Sequence, residues 1–401
     1  MKKLVLSLLL VNLMAVCIAA ADTKDPSRYR RIKVSEYVDK MQAGWIGQMA
    51  GVVMGAPTEF GWSGTLVPEE KVPRWQPGMI NGAFGQDDLY VEMTFLRTLE
   101  QYGIDASIRQ AGIDFANSRY PLWCANFAGR TNLRDGIAPP DSSHPQFNQR
   151  SNDIDYQIEA DYSGLIAPGL PDVAVALGEK FGRLMNYGDG MYAGQFMGAL
   201  YSEAFFETEP EKLCLAAVQA IPAESQYAEM VRDMVAWHRQ QPDGWQKTWQ
   251  LAVDKYQKDP AYQKASNGAI DCKINGACVI LGLLYGNRDP ERTIEIALRG
   301  GYDSDCNPSS AAGVLFTTLG LARLPERFTK ELNREEKFVF TAYNFPELVG
   351  VCEKLARQFV VHAGGQVVTE NDQEVLVVPV QQSKPSPLEL TWAPGPIAGS
   401  R

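Results

Sequence analysis

Gly47, Gly51 and Gly55 recur at every fourth position of the run 35–55, a spacing that constrains the fold more than any other feature of the chain. Residues four apart on a helix share a face, so this run carries a strip without side chains along which a second backbone can approach. Transmembrane dimer motifs use the same spacing. Glu36, Asp39 and Lys40 leave this run too short and too polar to span a bilayer. The strip therefore predicts close helix packing inside a soluble core. Ser35 is the expected N-cap, and Pro57 stops the helix.

Most of the chain between this run and residue 363 also reads as helix, with segments expected at 89–102, 107–118, 170–187 and 193–206. Trp245, Trp249, Val253 and Tyr256 form an aromatic stripe at helical period, the mark of a core-facing surface. Pro210, Pro260 and Pro290 each suit the first turn of a following helix. The run 274–285 is apolar nearly all round and is expected to be buried. Residues 129–168, rich in Asn, Asp, Ser, Pro and Arg, read as a long functional connection. No alternation of strands with helices precedes residue 363; beyond it 366–369, 374–380 and 388–392 read as strands.

Composition narrows the function. Among 401 residues, 48 Asp and Glu outweigh 38 Lys and Arg, a net charge of −10 that opposes a nonspecific grip on nucleic acid or anionic membranes. An apolar share of 45% supports a sizeable core. Lys2 and Lys3 precede an apolar run that ends in Ala19-Ala20-Ala21, an export leader cleaved before Asp22. The expected organisation is a signal peptide (1–21), a helical catalytic domain (22–362) and a β-strand tail (363–401). The product would be periplasmic, cell-surface or secreted, without stable membrane insertion after cleavage. Six cysteines lie beyond the leader without a C-x-x-C pair, so neither a disulfide scaffold nor a zinc ribbon is supported. His144, His238 and His362 lack metal-ligand spacing, so any metal chemistry falls to carboxylates.

Two acidic clusters offer those carboxylates. Gln86-Asp87-Asp88 sits just ahead of one helix, and Asp303-Ser304-Asp305-Cys306-Asn307 follows Gly300-Gly301 and opens another. A single acid at a helix start caps free N–H groups. Four converging carboxylates repel one another unless a hard divalent cation neutralises them. The second cluster is not an EF-hand, because Pro308 and Val314 stand where that loop needs Gly and Glu. The chain also lacks a P-loop, a G-x-G-x-x-G, an H-E-x-x-H and a G-x-S-x-G.

The run from Gly47 to Glu59, the Gln86-Asp87-Asp88 cluster and the 300–306 stretch GGYDSDC, in that order, resemble the ADP-ribosylglycohydrolases over roughly residues 35–320. That family includes the protein ADP-ribosyl hydrolases and the dinitrogenase reductase-activating glycohydrolase. The resemblance implies an all-α, orthogonally packed helical bundle, here with a short C-terminal β appendage, and two Mg²⁺ or Mn²⁺ ions in a central cleft. By position it makes Asp87, Asp88, Asp303 and Asp305 metal ligands, and puts Glu59 beside the metals and the scissile bond. A metal pair can orient ribose hydroxyls and activate water while a carboxylate such as Glu59 moves a proton.

The chain departs from the family pattern at three places. Gln86 replaces a threonine, Ser304 and Cys306 stand in further hydroxyl positions, and the Gly-Asn-Gly substrate loop is not evident. Metal binding survives these changes better than recognition of an ADP diphosphate. Asp155, Gln157 and Asp161, in an alternating polar run that also contains Glu159, are candidates to line a sugar pocket; a solvated loop face accounts for them equally. The expected activity is that of a secreted, metal-dependent glycohydrolase cleaving an N- or O-ribosyl, ADP-ribosyl-like bond in a small ribosyl or glycosyl substrate. The alternatives are a glycosidase acting on a different glycoside, and a non-catalytic sugar- or nucleotide-binding protein on the same fold.

Overall fold

In the computed structural model, which describes Asp25 and residues 27–398, the glycine-striped run is helix α1 (Val34–Gly55). The expected leader lies outside the described residues. Helices α2 (Asp87–Tyr102), α3 (Ile108–Asn117), α4 (Cys124–Arg134), α5 (Asp155–Ile158) and α6 (Asp161–Leu165) come after it. Next are α7 (Pro171–Lys180), α8 (Asp189–Ala204), α9 (Pro210–Ala217), α10 (Gln226–Gln240) and α11 (Trp245–Ala252). The series ends with α12 (Cys272–Tyr285), α13 (Pro290–Arg299), α14 (Cys306–Leu319) and α15 (Phe345–His362). The architecture is all-α with one small sheet. No described helix is long and apolar enough to cross a membrane.

Burial sorts the helices into two classes. Every residue of α8 and α12 is buried, as is nearly all of α14, so these form the centre. α3, α10, α13 and α15 keep one polar face outward and close over that centre. The aromatic stripe is core: Trp245, Trp249, Val253 and Tyr256 are all buried. α14 touches α1, α8, α12 and α13.

The α1–α14 contact is backbone to backbone, because the glycine strip meets bare main chain. A Cβ on Gly47 would fall 2.4 Å from Ala312 O, one on Gly51 2.2 Å from Pro308 O, and one on Gly55 1.8 Å from Ser304 O. Each step of four along α1 matches a step of four backwards along α14, so the two helices run antiparallel.

The three strands β1 (Tyr29–Lys33), β2 (Gln366–Glu370) and β3 (Gln373–Pro379) form one antiparallel sheet in the order β1-β3-β2. β1 pairs Ile32 with Leu376 and leads directly into α1, so the tail is hydrogen-bonded to the beginning of the helical body. This strand had no sequence expectation; only Ile32 of its five residues is buried.

Several boundaries differ from expectation for local reasons. Strand pairing sets the start of α1, so Lys33 precedes it and Ser35 lies in its first turn rather than capping it. The segment expected at 170–187 stops at Lys180 and continues as a 3₁₀ turn, with Gly182 pressed against the Tyr156 ring. α8 starts at Asp189 rather than 193, after Gly188 at φ +56°. Pro260 lies in a turn where Asp259 Oδ1 accepts the Ala261 N–H (2.9 Å), and it opens no helix. Residues 388–392 form no strand, because side chains take the backbone groups around them: Tyr192 Oη donates to Pro387 O and accepts from Glu389 N, both at 2.7 Å. All six described cysteines are free.

Gly51→Val should lower the unfolding free energy by at least about 3 kcal/mol, since its side chain meets backbone that cannot move aside. Gly350→Ala, at an exposed position of α15 with open space around its Cβ, should instead raise it by about 0.5–1 kcal/mol. Denaturant titration of both variants checks the pair.

Candidate functional site

The antiparallel α1–α14 seam brings the C-terminal end of α1 beside the N-terminal end of α14. Pro57 turns the chain out of α1 through a 3₁₀ turn (Ala56–Thr58), and Glu59 follows it. The Thr58 hydroxyl donates to Gly55 O (2.9 Å) and meets the Ser304 hydroxyl (2.8 Å), which ties this turn to the second acidic cluster. Phe60 N–H donates to Tyr302 O (2.8 Å), and Tyr302 N–H donates to Trp62 O (3.3 Å). Gly301 (φ +76°) and Tyr302 (φ +62°) make the reversal that this pairing needs, and a Cβ on Gly301 would lie 2.2 Å from Trp62 O.

Asn275 on α12 holds the other side of the cluster. Its Oδ1 accepts from Asp303 N (3.1 Å) and Asn307 Nδ2 (2.9 Å), while its own Nδ2 donates to Ala269 O and Asp271 O. The loop's backbone is thus restrained, and its carboxylates are left to point elsewhere.

They point at the acids that begin α2. A cleft of ≈ 660 Å³ is lined by Glu59, Asp87, Asp303, Asp305 and Cys306, with Asp88 buried beneath it at 1% exposure. Burial, then the Asp305 and Asp87 charges, push Glu59 up to about 7. Burial followed by Asp305 pushes Asp87 up to about 6. Asp88 and Asp303 are driven well above the carboxylate range, burial first and the neighbouring acids after it. The Asp305 charge acts on all four of these groups, so both acidic motifs and Glu59 meet at one place.

The donor set fits a divalent cation. Asp303 Oδ1, Asp305 Oδ1 and both Asp88 oxygens are buried and complete no hydrogen bond; the Ser309 hydroxyl only eases the Asp88 charge. An orphaned carboxylate oxygen in the interior costs several kcal/mol, on the order of its lost solvation, unless a positive charge meets it. Ligand atoms of Asp303, Asp305 and Cys306 lie within 4.8 Å of one another. Arg150 is the lone cation among the described lining residues, and its Nε is held by Asp153 Oδ2 at 2.5 Å.

The three sugar-pocket candidates separate. Asp155 lines the cleft, but its carboxylate accepts the N–H groups of Ala125 (3.1 Å) and Asn126 (2.8 Å) and so fastens the start of α4. Gln157 and Asp161 do not line it. Gln157 Oε1 accepts from Tyr227 Oη (3.1 Å), and Asp161 accepts from Tyr201 Oη (2.8 Å) inside the core. The alternation that suggested a shared face is broken by two short helices, α5 and α6, which turn these side chains to different neighbours.

Tyr90, Trp123, Cys124, Asn126 and Arg150 also line the cleft, and no motif in the sequence marks them. Arg150 and Asn267 belong to irregular segments whose register to the acids no spacing rule encodes. The polar composition of 129–168 was the available signal for Arg150. Trp123, 57% exposed just before α4, had none, because its exposure is decided only by the tertiary fold.

The profile of the ADP-ribosylglycohydrolase family matches residues 33–363. A solved structure described as an ADP-ribosylglycohydrolase-related protein complex is similar in fold, at a TM-score of 0.53 and 15% identity over 81% of this chain and 99% of that one. No curated protein matches the chain. The matched span contains α1 to α15 and both acidic clusters, and so most of the fold and every acid of the cleft floor. The chain belongs to the ADP-ribosylglycohydrolase family, which is hydrolytic on glycosyl bonds.

Proposed function

We propose that this chain is an exported, divalent-cation-dependent hydrolase of N- or O-ribosyl bonds. In this reading Asp87, Asp88, Asp303 and Asp305 hold two divalent cations, and Glu59 moves the proton. The observation that carries it is the convergence of buried, unpartnered carboxylates from two distant motifs on one cleft. The export element rests on the leader pattern of residues 1–21.

When bound, the cations supply positive charge that orients ribose hydroxyls and acidifies water. Glu59, exposed at the cleft wall, accepts a proton from the attacking water or returns one to the leaving group. Asp155 keeps the α4 wall in place through the two N–H groups it accepts. Trp123 offers an exposed aromatic face on that wall against which a sugar or a base can lie.

The substrate is better read as a simple riboside or another glycoside than as an ADP-ribosyl group. A diphosphate needs cationic or backbone N–H partners. Arg150 is already engaged by Asp153, and the N–H groups at the start of α4 are taken by Asp155.

A panel of nucleosides, simple glycosides and ADP-ribosyl compounds, assayed with Mg²⁺, Mn²⁺ or EDTA, tests the reading. Activity should require the cation and should be higher on compounds lacking the diphosphate. Glu59→Gln should reduce kcat by about 10²–10⁴ while cation binding persists. Asp303→Asn should weaken cation affinity by at least about 10-fold in calorimetry. Activity indifferent to EDTA and to both substitutions would refute the proposal.

The same crowding of acids predicts a pH dependence for the cation-free protein. Glu59 and Asp87 titrate in the folded state at about 7 and about 6, above their ordinary values of 4.5 and 3.8. The folded chain therefore binds more protons than the unfolded chain in that window, and these groups' contribution to stability falls as pH rises from near 4 to near 7. Melting of the EDTA-treated protein should show this loss, and Asp87→Asn should flatten it. Added cation should raise the melting temperature more at pH 8 than at pH 5, because protons compete for the same oxygens.

A further inference from the structure

Cys306 opens α14 directly after Asp305, is 5% exposed and lines the cleft. Its Sγ and one carboxylate oxygen each of Asp303 and Asp305 lie within 4.8 Å of one another. Each of those carboxylates, nine-tenths or more buried, also has an Oδ1 that completes no hydrogen bond. Cys306 forms no disulfide. Cys124, the other cysteine on the cleft, is instead engaged by Arg150 Nη2 at 3.0 Å.

We propose that Cys306 is a direct cation ligand through its thiolate, and that it makes the site favour a thiophilic divalent ion of the Zn²⁺ or Co²⁺ kind over Mg²⁺. The inference rests on the cation site proposed above and concerns which ion that site selects. Mg²⁺ keeps oxygen ligands in a near-ideal octahedron and gains little from sulfur. Two carboxylates and one thiolate make a three-ligand set of the type that leaves a fourth position open on zinc. With metal–sulfur and metal–oxygen bonds of about 2.3 and 2.1 Å, tetrahedral ligand atoms stand about 3.5 Å apart. The observed separations, all within 4.8 Å, exceed that spacing by at most about 1.3 Å. On ligation the S–H bond breaks, a sulfur lone pair forms the bond to the cation, and one proton leaves to solvent without any change of oxidation state.

The test is a Co²⁺ titration of the metal-free full chain, followed by absorption spectroscopy and by competition with Zn²⁺ and Mg²⁺. Wild type should develop a near-ultraviolet sulfur-to-cobalt charge-transfer band alongside the visible cobalt bands. Zn²⁺ should displace the Co²⁺, and equimolar Mg²⁺ should not. Cys306→Ser and Cys306→Thr should keep the visible bands, lose the charge-transfer band, and reduce the preference for Zn²⁺ over Mg²⁺ by at least about 10-fold. Cys124→Ser should retain the charge-transfer band. A wild-type spectrum with visible cobalt bands and no charge-transfer band overturns the role of Cys306 and leaves the cation site standing. Absence of any bound ion overturns both, and the wild-type spectrum decides between these results even if a Cys306 variant fails to fold.

Discussion

The backbone-to-backbone contact between α1 and α14 is the constraint on which the rest of the site depends. Ordinary helices are held 8–10 Å apart by their side chains. Here Gly47, Gly51 and Gly55 lie against the backbone of Ala312, Pro308 and Ser304, so two helices far apart in sequence are held in antiparallel register at a separation that leaves no room for a Cβ. The register determines that Glu59, just past the end of α1, faces the loop just before α14. A slip of one turn along either helix would carry Glu59 about 5.4 Å from that loop.

The second organising influence is uncompensated negative charge. Elsewhere in the described interior each buried acid has at least one partner, even where one oxygen stays open, as in Glu92, whose Oε2 accepts from Tyr162 N (2.7 Å), and Glu159, whose Oε1 accepts from Asn126 Nδ2. Asp271 lies against Lys273 Nζ (3.1 Å) and accepts from Asn152 Nδ2 (2.9 Å), while Asp161 accepts from Tyr201 Oη (2.8 Å). The cleft acids do not obey this rule. Asn275, Thr58 and Ser304 satisfy backbone groups and one another around the 303–305 loop, and the carboxylate oxygens of Asp88, Asp303 and Asp305 remain open. Such an arrangement is costly as it stands. A bound dication is the simplest physical account of why the fold maintains it.

Legibility in the sequence tracked the range of the interaction. Asp87, Asp88, Asp303 and Asp305 were identifiable because doubled and alternating acids at helix starts exceed what capping requires, and Glu59 through its place after the glycine strip. Asp155, Gln157 and Asp161 looked equivalent by alternation, but the structure keeps only Asp155 on the cleft, since α5 and α6 replace an extended chain there. β1 was illegible for a related reason. The stretch Tyr29–Lys33 has one buried residue and becomes a strand through its pairing with β3, from Tyr29↔Pro379 to Lys33↔Val375.

By itself the sequence determined what depends on neighbours along the chain: helix periodicity, the glycine face of α1, the two acidic helix starts and the shortage of histidine that leaves metal chemistry to carboxylates. Only the tertiary structure decided which of these features meet. It brought Glu59 and the Asp87-Asp88 pair to the Asp303 and Asp305 carboxylates, put Trp123 and Arg150 on the same cleft, and joined the C-terminal strands to the chain's first strand. The physical reason is that these contacts join segments separated by tens to hundreds of residues. No local propensity encodes them; they depend on how closely two helices can pack, and that is settled by the absent side chains of three glycines.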